Sequence, residues 1–154
     1  RVPALAEAAF GAGAQSVVMA GRLLGMIPDL DSMAPLLGTS LGVGGYWNLP
    51  LTCQWLALTR QHLGVGAPLI GINGVRDGRD AARVMLAGAS AVGMASSVML
   101  RGPGVLTQAL EQLDAYLDAK GIAARDLIGR AADRRRSFHE MELRTDHWQD
   151  FVIR

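Results

Sequence analysis

Two short stretches of this chain end apolar runs on small residues. Leu69-Ile70-Gly71-Ile72 runs into Asn73-Gly74, and Ala91-Val92-Gly93-Met94 runs into Ala95-Ser96-Ser97. Backbone without bulky side chains lets a ligand approach main-chain N–H groups closely. Where a helix follows, those groups favour an anion. Asn73-Gly74 is followed by Asp77-Gly78 and helix-like sequence; Ala95-Ser96-Ser97 adds hydroxyls and precedes a helix after Pro103. Either stretch alone is explained by the tight turns that glycine and serine make. The two together, one structural unit apart, favour a phosphate cradle. A third stretch, GTSLGVGGYWNLP at 38–50, has Gly42, Gly44 and Gly45 to admit a flat ligand against the backbone. Tyr46, Trp47 and Asn48 add aromatic surface and an amide there. The competing reading is a surface connector capped by Asn48, but a loop this long inside a compact domain favours function.

The elements that must position these residues follow from patterning. GAGAQSVVM (11–19), GVGAPLIGI (64–72) and AGASAVGM (87–94) each lead small residues into an apolar run. Glycine at a helix end followed by a buried strand is an αβ junction. Strands are expected at about 16–20, 68–73 and 90–95. The runs do not alternate polar and apolar, so both sheet faces should be covered, as in parallel sheets. Helices are expected over 3–11, 50–63, 78–87 and 103–119, the last with a stripe of Val105, Leu106, Ala109, Leu110, Leu113 and Leu117. The order is helix, strand, long loop, helix, strand, helix, strand, helix. Such alternation means an α/β fold with parallel strands. A complete (β/α)8 barrel needs roughly 200–250 residues, and three strands cannot close one. The chain reads either as a small open sheet or as the last part of a barrel. In α/β folds ligands bind at the carboxyl ends of strands, where the small-residue pairs fall.

Composition narrows the function classes. The 154 residues are half hydrophobic and carry a net charge of +1, so there is no basic excess to hold nucleic acid or an anionic membrane. No apolar stretch has the length of a membrane span. Cys53 is the single cysteine and cannot form an internal disulfide, which fits a reducing, cytoplasmic setting. The chain begins at Arg1 inside helix-like sequence and reads as a piece of something longer. His62 is placed near a helix end, His139 and His147 in a polar tail without metal-ligand spacing, and Asp29 and Asp31 in a turn. Trp47, Trp55 and Trp148 are expected to pack between units or against chain outside these residues. Arg134-Arg135-Arg136 reads as a solvated face.

PLIGINGVRDGRDAARVMLAGASAVGMASSVM resembles the closing two βα units of the dihydroorotate dehydrogenase family of FMN barrels. GGYWNLP resembles that family's Gly-Gly loop, and AGAQSVVMAGRLLGMIPDLD its sixth-strand segment. The resemblance covers most of residues 5–120 in the family's order. The last motif is shared with IMP dehydrogenase and other phosphate-binding barrels; the ordered set of three is more specific. It implies the C-terminal part of a (β/α)8 barrel, about its sixth to eighth strands, over residues 1–122, with a polar helix and tail over 123–154. It implies FMN as cofactor and hydride transfer from a substrate CH–CH bond, as in pyrimidine biosynthesis. Gly44 and Gly45 would lie against the flavin or its ribityl chain. Asn73 with Gly74, and Ala95 with Ser96, match the pairs that hold the FMN phosphate. The family's catalytic base and flavin-contacting lysines belong to the first half of the barrel, so the catalytic residues are expected outside this chain, which alone should be inactive. Cys53 falls inside a helix and is not that base.

The chain departs from the family pattern in places. The sixth-strand asparagine that reads the substrate ring aligns with Gly21, which has no amide; Arg22 beside it is a candidate partner for a carboxylate. Partners are expected to be a small-molecule substrate and the rest of the barrel or a second chain, with a homo-oligomer compatible. Two other readings stay open at this point. One is a non-catalytic half-barrel serving as a binding or assembly module. The other is a flavin-free phosphate-binding barrel enzyme of the IMP dehydrogenase kind.

Overall fold

The computed structural model describes residues 1–140. Helix α1 (Val2–Gly11) leads to strand β1 (Val17–Met19), helix α2 (Leu49–Leu63) to β6 (Leu69–Gly71), and helix α3 (Gly78–Leu86) to β7 (Ala91–Val92). The three strands form one parallel sheet in the order β1-β6-β7. All three expected strands are present but shorter than read. The helices fall within a residue of their expected limits. Proline in the first turn opens α1 and α2, where its missing N–H costs nothing. Asp77 caps α3 by accepting from Asp80 N–H at 2.9 Å. Short α4 (Ser96–Arg101) precedes long α5 (Gly104–Lys120), which ends on Gly121 in the left-handed conformation.

The core lies between the sheet and α1, α2 and α3. Leu56, Leu69, Val84 and Ala89 are fully buried in it. Gly71 sets the approach of the helices: a β-carbon there would come within 2.2 Å of Val84 Cγ1 and 3.1 Å of Leu56 Cδ1. The absent side chain lets α2 and α3 close onto the strand. The opposite face is bare. Val18, Ile70 and Ala91 stand in register across the strands, and Val18 is 52% exposed. Both faces were expected to be covered, and only the helix side is. This row would point into a barrel, whose interior is filled by side chains from strands around the whole ring.

The segment read as a long loop between the first two strands is instead two antiparallel ribbons. Strand β2 (Leu23–Gly25) pairs with β5 (Leu41–Val43), and β3 (Pro28–Asp29) with β4 (Ala34–Pro35). Strands of two or three residues are too short to print an alternating pattern in the sequence. Asp29 makes the turn as expected, accepting from Ser32 N–H at 2.8 Å and Ser32 Oγ at 2.7 Å. Those bonds hold its carboxyl below the usual carboxylate range.

Of the segment expected as a polar helix and tail, residues 123–140 are described. They form α6 (Ala124–Leu127) and two 3-10 turns, Ala132–Arg134 and Phe138–Glu140. Leu127 is buried, and the backbone is pinned to the end of α3 by Gly129 N–H to Met85 O at 2.9 Å and Ala131 N–H to Leu86 O at 3.0 Å. Arg60 of α2 grips Asp133 through Nε at 2.8 Å and Nη2 at 2.9 Å. The arginines at 134–136 are exposed. The remainder, with His147 and Trp148, lies outside the described residues. No described helix is long and apolar enough to cross a membrane.

Candidate functional site

Because β6 and β7 are parallel neighbours, their carboxyl ends share one rim. Chain leaving β6 passes through Ile72, Asn73 and Gly74; chain leaving β7 passes through Gly93 and Met94 to Ala95 and Ser96. These tips, with Gly45, Tyr46, Arg76, Asp77 and Arg101, line a cleft of about 520 Å3. Five of the six residues expected to hold the cofactor therefore meet in one place: Gly45, Asn73, Gly74, Ala95 and Ser96. Gly44 stands just behind, where a β-carbon would come within 3.1 Å of Asn73 Oδ1.

Asn73 fastens three loops together. It is buried, and its Nδ2 donates to Gly21 O at 2.8 Å while its Oδ1 accepts a long bond from Gly45 N–H at 3.4 Å. Its own carbonyl accepts from Thr52 Oγ1 on α2 at 2.8 Å. Gly21 is thus held at the tip of β1, which turns there through Ala20 at φ 55°. Arg22 is not brought to the cleft. It lies on the ribbon with its stem packed where a β-carbon of Gly42 would sit. Asn48 does not cap α2 through its side chain. It is buried, and its Oδ1 has no hydrogen-bond partner.

Gly74 has the tightest backbone approach at the site. Its φ is 94°, and a β-carbon would meet Leu49 N at 2.5 Å. The start of α2 therefore rests directly on the β6 tip. Ser97 Oγ donates to Val75 O at 3.1 Å, tying the two tips to each other. The N–H groups of Gly74, Val75, Ala95 and Ser96 take no acceptor among the described residues.

The charged cluster of Arg76, Asp80, Arg83 and Arg101 at and behind the cleft was not singled out from the sequence. Asp80, fully buried, accepts from Arg76 Nε at 2.8 Å and Arg83 Nη1 at 2.7 Å. Burial alone would raise its carboxyl, but the two guanidinium groups and the Arg76 N–H outweigh that and hold it below its ordinary value. Arg76 lies over the Tyr46 ring, 4.8 Å from its centre, a cation–π contact. Arg101 Nη2 donates to Arg76 O, and no described carboxylate pairs with Arg101. Of these groups Arg76 and Arg101 line the cleft with a single carboxylate, Asp77, which is turned to its capping role; Asp80 and Arg83 stand behind them. The spacing of Arg76 and Asp80, four residues apart, was a readable signal; Arg101 before Gly102-Pro103 carried none.

The remaining candidates sit apart from this cleft. His62 pairs with Glu7 at 2.9 Å in the last turn of α2. His139 is exposed. Cys53 is partly buried on α2, and burial, with help from Asp80, pushes its thiol up to about 11. At pH 8 that leaves about one thiolate in a thousand. Native protein is therefore expected to resist a thiol reagent such as dithionitrobenzoate for hours at pH 8, and to react within minutes once unfolded in guanidinium. Fast reaction of the native thiol would show that α2 opens readily.

Comparison with known proteins agrees with this geometry. The family model described as dihydroorotate dehydrogenase matches residues 9–117. The catalytic subunit of dihydroorotate dehydrogenase B (NAD(+)) from Desulforudis audaxviator is 33% identical over 129 residues, covering 82% of this chain and 41% of that protein. Dihydroorotate dehydrogenase (quinone) from Xanthobacter autotrophicus is 31% identical over 126 residues, covering 81% and 35%. Among solved structures, DHODH from Eimeria tenella in complex with ferulenol superposes with a TM-score of 0.70 at 22% identity, over 88% of this chain and 35% of that one. The chain spans about two-fifths of the length of the curated relatives it matches. Its three parallel βα units are consistent with part of a (β/α)8 barrel, and a matched family model over most of its length leaves one assignment: the chain belongs to the dihydroorotate dehydrogenase family.

Proposed function

We propose that this chain forms the phosphate-binding side of the cofactor site in an FMN-dependent, dihydroorotate dehydrogenase-like oxidoreductase. Membership of the family supports that reading, and one observation in the structure carries it. Two adjacent strand tips present small residues and uncommitted N–H groups to a single cleft, with Arg101 at its edge. Donors of that kind, with a net positive balance around them, suit a phosphate dianion. Gly74, Ala95 and Ser96 surround the phosphate, the Ser96 hydroxyl adding a donor. Gly44 and Gly45 leave room for the ribityl chain or the flavin edge, and Asn73 fixes the spacing between those loops and the β6 tip. Bound flavin supplies acceptance of hydride from a substrate CH–CH bond, the chemistry of pyrimidine biosynthesis in this family. The base and the substrate-contacting groups come from the remainder of the barrel or a second chain. Residues 123–140 form a closing polar segment beyond the barrel units.

The test is selectivity for the phosphorylated flavin in the intact protein. Two charge-assisted hydrogen bonds at about 1.5 kcal/mol each correspond to about 100-fold. FMN is therefore expected to bind about that much more tightly than riboflavin. Ser96→Leu, which fills the cradle, should erase most of the difference while riboflavin binding changes little. A protein that binds neither flavin, or both equally, overturns the reading.

A further inference from the structure

A second concave site lies at the other end of α3 from the cleft. Nine residues at 1.5 Å rise separate the two by about 12 Å along the helix. The cavity holds about 440 Å3, within the roughly 300–1,000 Å3 of small-ligand sites. Its floor is apolar: Leu86, Ile122 and the buried Leu127, with Tyr116 as one wall. Its rim carries Lys120, Arg130 and Arg134, and no carboxylate lines it. The chain as a whole has 15 basic and 14 acidic residues, so three unopposed cations around one cavity are a local excess. None of the three side chains makes an ion pair or hydrogen bond among the described residues.

Local structure explains only one of them. Lys120 sits in the last turn of α5, where the helix carbonyls favour a cation. Arg130 and Arg134 are in no α-helix, and like charges around one cavity oppose each other. Asp133, the acid next to them in sequence, is turned away and gripped by Arg60. The frame is fixed rather than loose, since Gly129 and Ala131 are hydrogen-bonded to the end of α3. A solvated basic face needs neither a cavity nor an apolar floor.

We propose that this cavity binds a small organic phosphate. The arginine forks and Lys120 hold the phosphoryl oxygens, and a planar or apolar body lies on Leu86, Ile122 and Leu127 beside Tyr116. The site is separate from the cleft and does not depend on the flavin reading. Titration calorimetry of the intact protein with phenyl phosphate tests it, with one equivalent of FMN bound so that the cleft is filled and no free flavin phosphate competes for the cavity. Phenyl phosphate should bind about tenfold more tightly than inorganic phosphate, because only it uses the floor. Arg130→Ala combined with Arg134→Ala should weaken it at least about tenfold, and Lys120→Gln, on another element, several-fold. Flavin affinity should be unchanged in both variants. Three results overturn the proposal: equal binding of phenyl and inorganic phosphate, unchanged affinity in both variants, or displacement of the cleft-bound FMN by phenyl phosphate.

Discussion

Gly74→Val is expected to give protein that has lost its flavin and much of its stability. Two separate costs meet at this residue. A β-branched side chain at φ 94° is strained by about 1–3 kcal/mol. Its β-carbon would also lie 2.5 Å from Leu49 N and 2.7 Å from Leu49 Cα. Those are backbone atoms at the start of α2, so no rotamer change relieves the contact; the helix itself must move. Overpacking of that kind costs about 1–3 kcal/mol more. Together the two are a large share of the ~5–15 kcal/mol that holds a typical domain. The Tm should fall by about ten degrees or more, and FMN retention should fall with it, because Leu49 carries the Gly44–Asn48 loop. Gly104→Ala is the matched control. Nothing lies within 4 Å of a β-carbon there, the residue opens α5, and stability should hold or rise slightly. Equal behaviour of the two variants would remove the claim that α2 rests on the strand tip.

Asp80→Ala should be the second most damaging change. Removing one member of a buried ion pair typically costs about 3–5 kcal/mol. Arg76 and Arg83 are each about half exposed and can turn to water, so about 2–3 kcal/mol is the better expectation here. The site should suffer beyond that figure. Arg76 is set against Tyr46 by Asp80, and its carbonyl anchors Arg101. FMN binding should weaken while riboflavin binding, which does not use these charges, changes less. The acid response gives an independent check. The folded carboxyl titrates below the ordinary aspartate value of 3.8. Its contribution is therefore complete above that pH and is lost as pH falls from there through the folded value. Wild type should lose stability over that window more steeply than Asp80→Ala. Parallel curves would mean that the buried carboxylate contributes nothing through its charge.

The parts of the fold legible in the sequence are those fixed by local physics. A glycine-ended helix followed by an apolar run is a short-range pattern, and 11–19, 64–72 and 87–94 each became a helix-to-strand junction. The shared rim followed too, since parallel neighbours must end on the same side. The ribbons between Leu23 and Val43 were invisible because strands of two or three residues print no alternating pattern. From the sequence, Asn73 reads only as half of a phosphate-holding pair. In the folded chain its carboxamide bridges to Gly21 and Gly45, a role set by residues 28 and 52 positions away. Arg22 attracted attention by lying next to Gly21, but a β-ribbon carries it off. Arg101, with no pattern to announce it, arrives at the cleft only because α4 folds back over the β6 tip.

The bare flanks of the sheet have a consequence for handling the chain by itself. Among the described residues β1 has no neighbour on one side and β7 none on the other, and all strands run the same way. The two free ladders are complementary, so the last strand of one copy can dock beside the first strand of the next, head to tail. Each copy brings three strands, and no whole number of threes makes eight. Such stacking cannot end in an eight-membered ring, and it stays open to further copies unless other strands cap the two flanks.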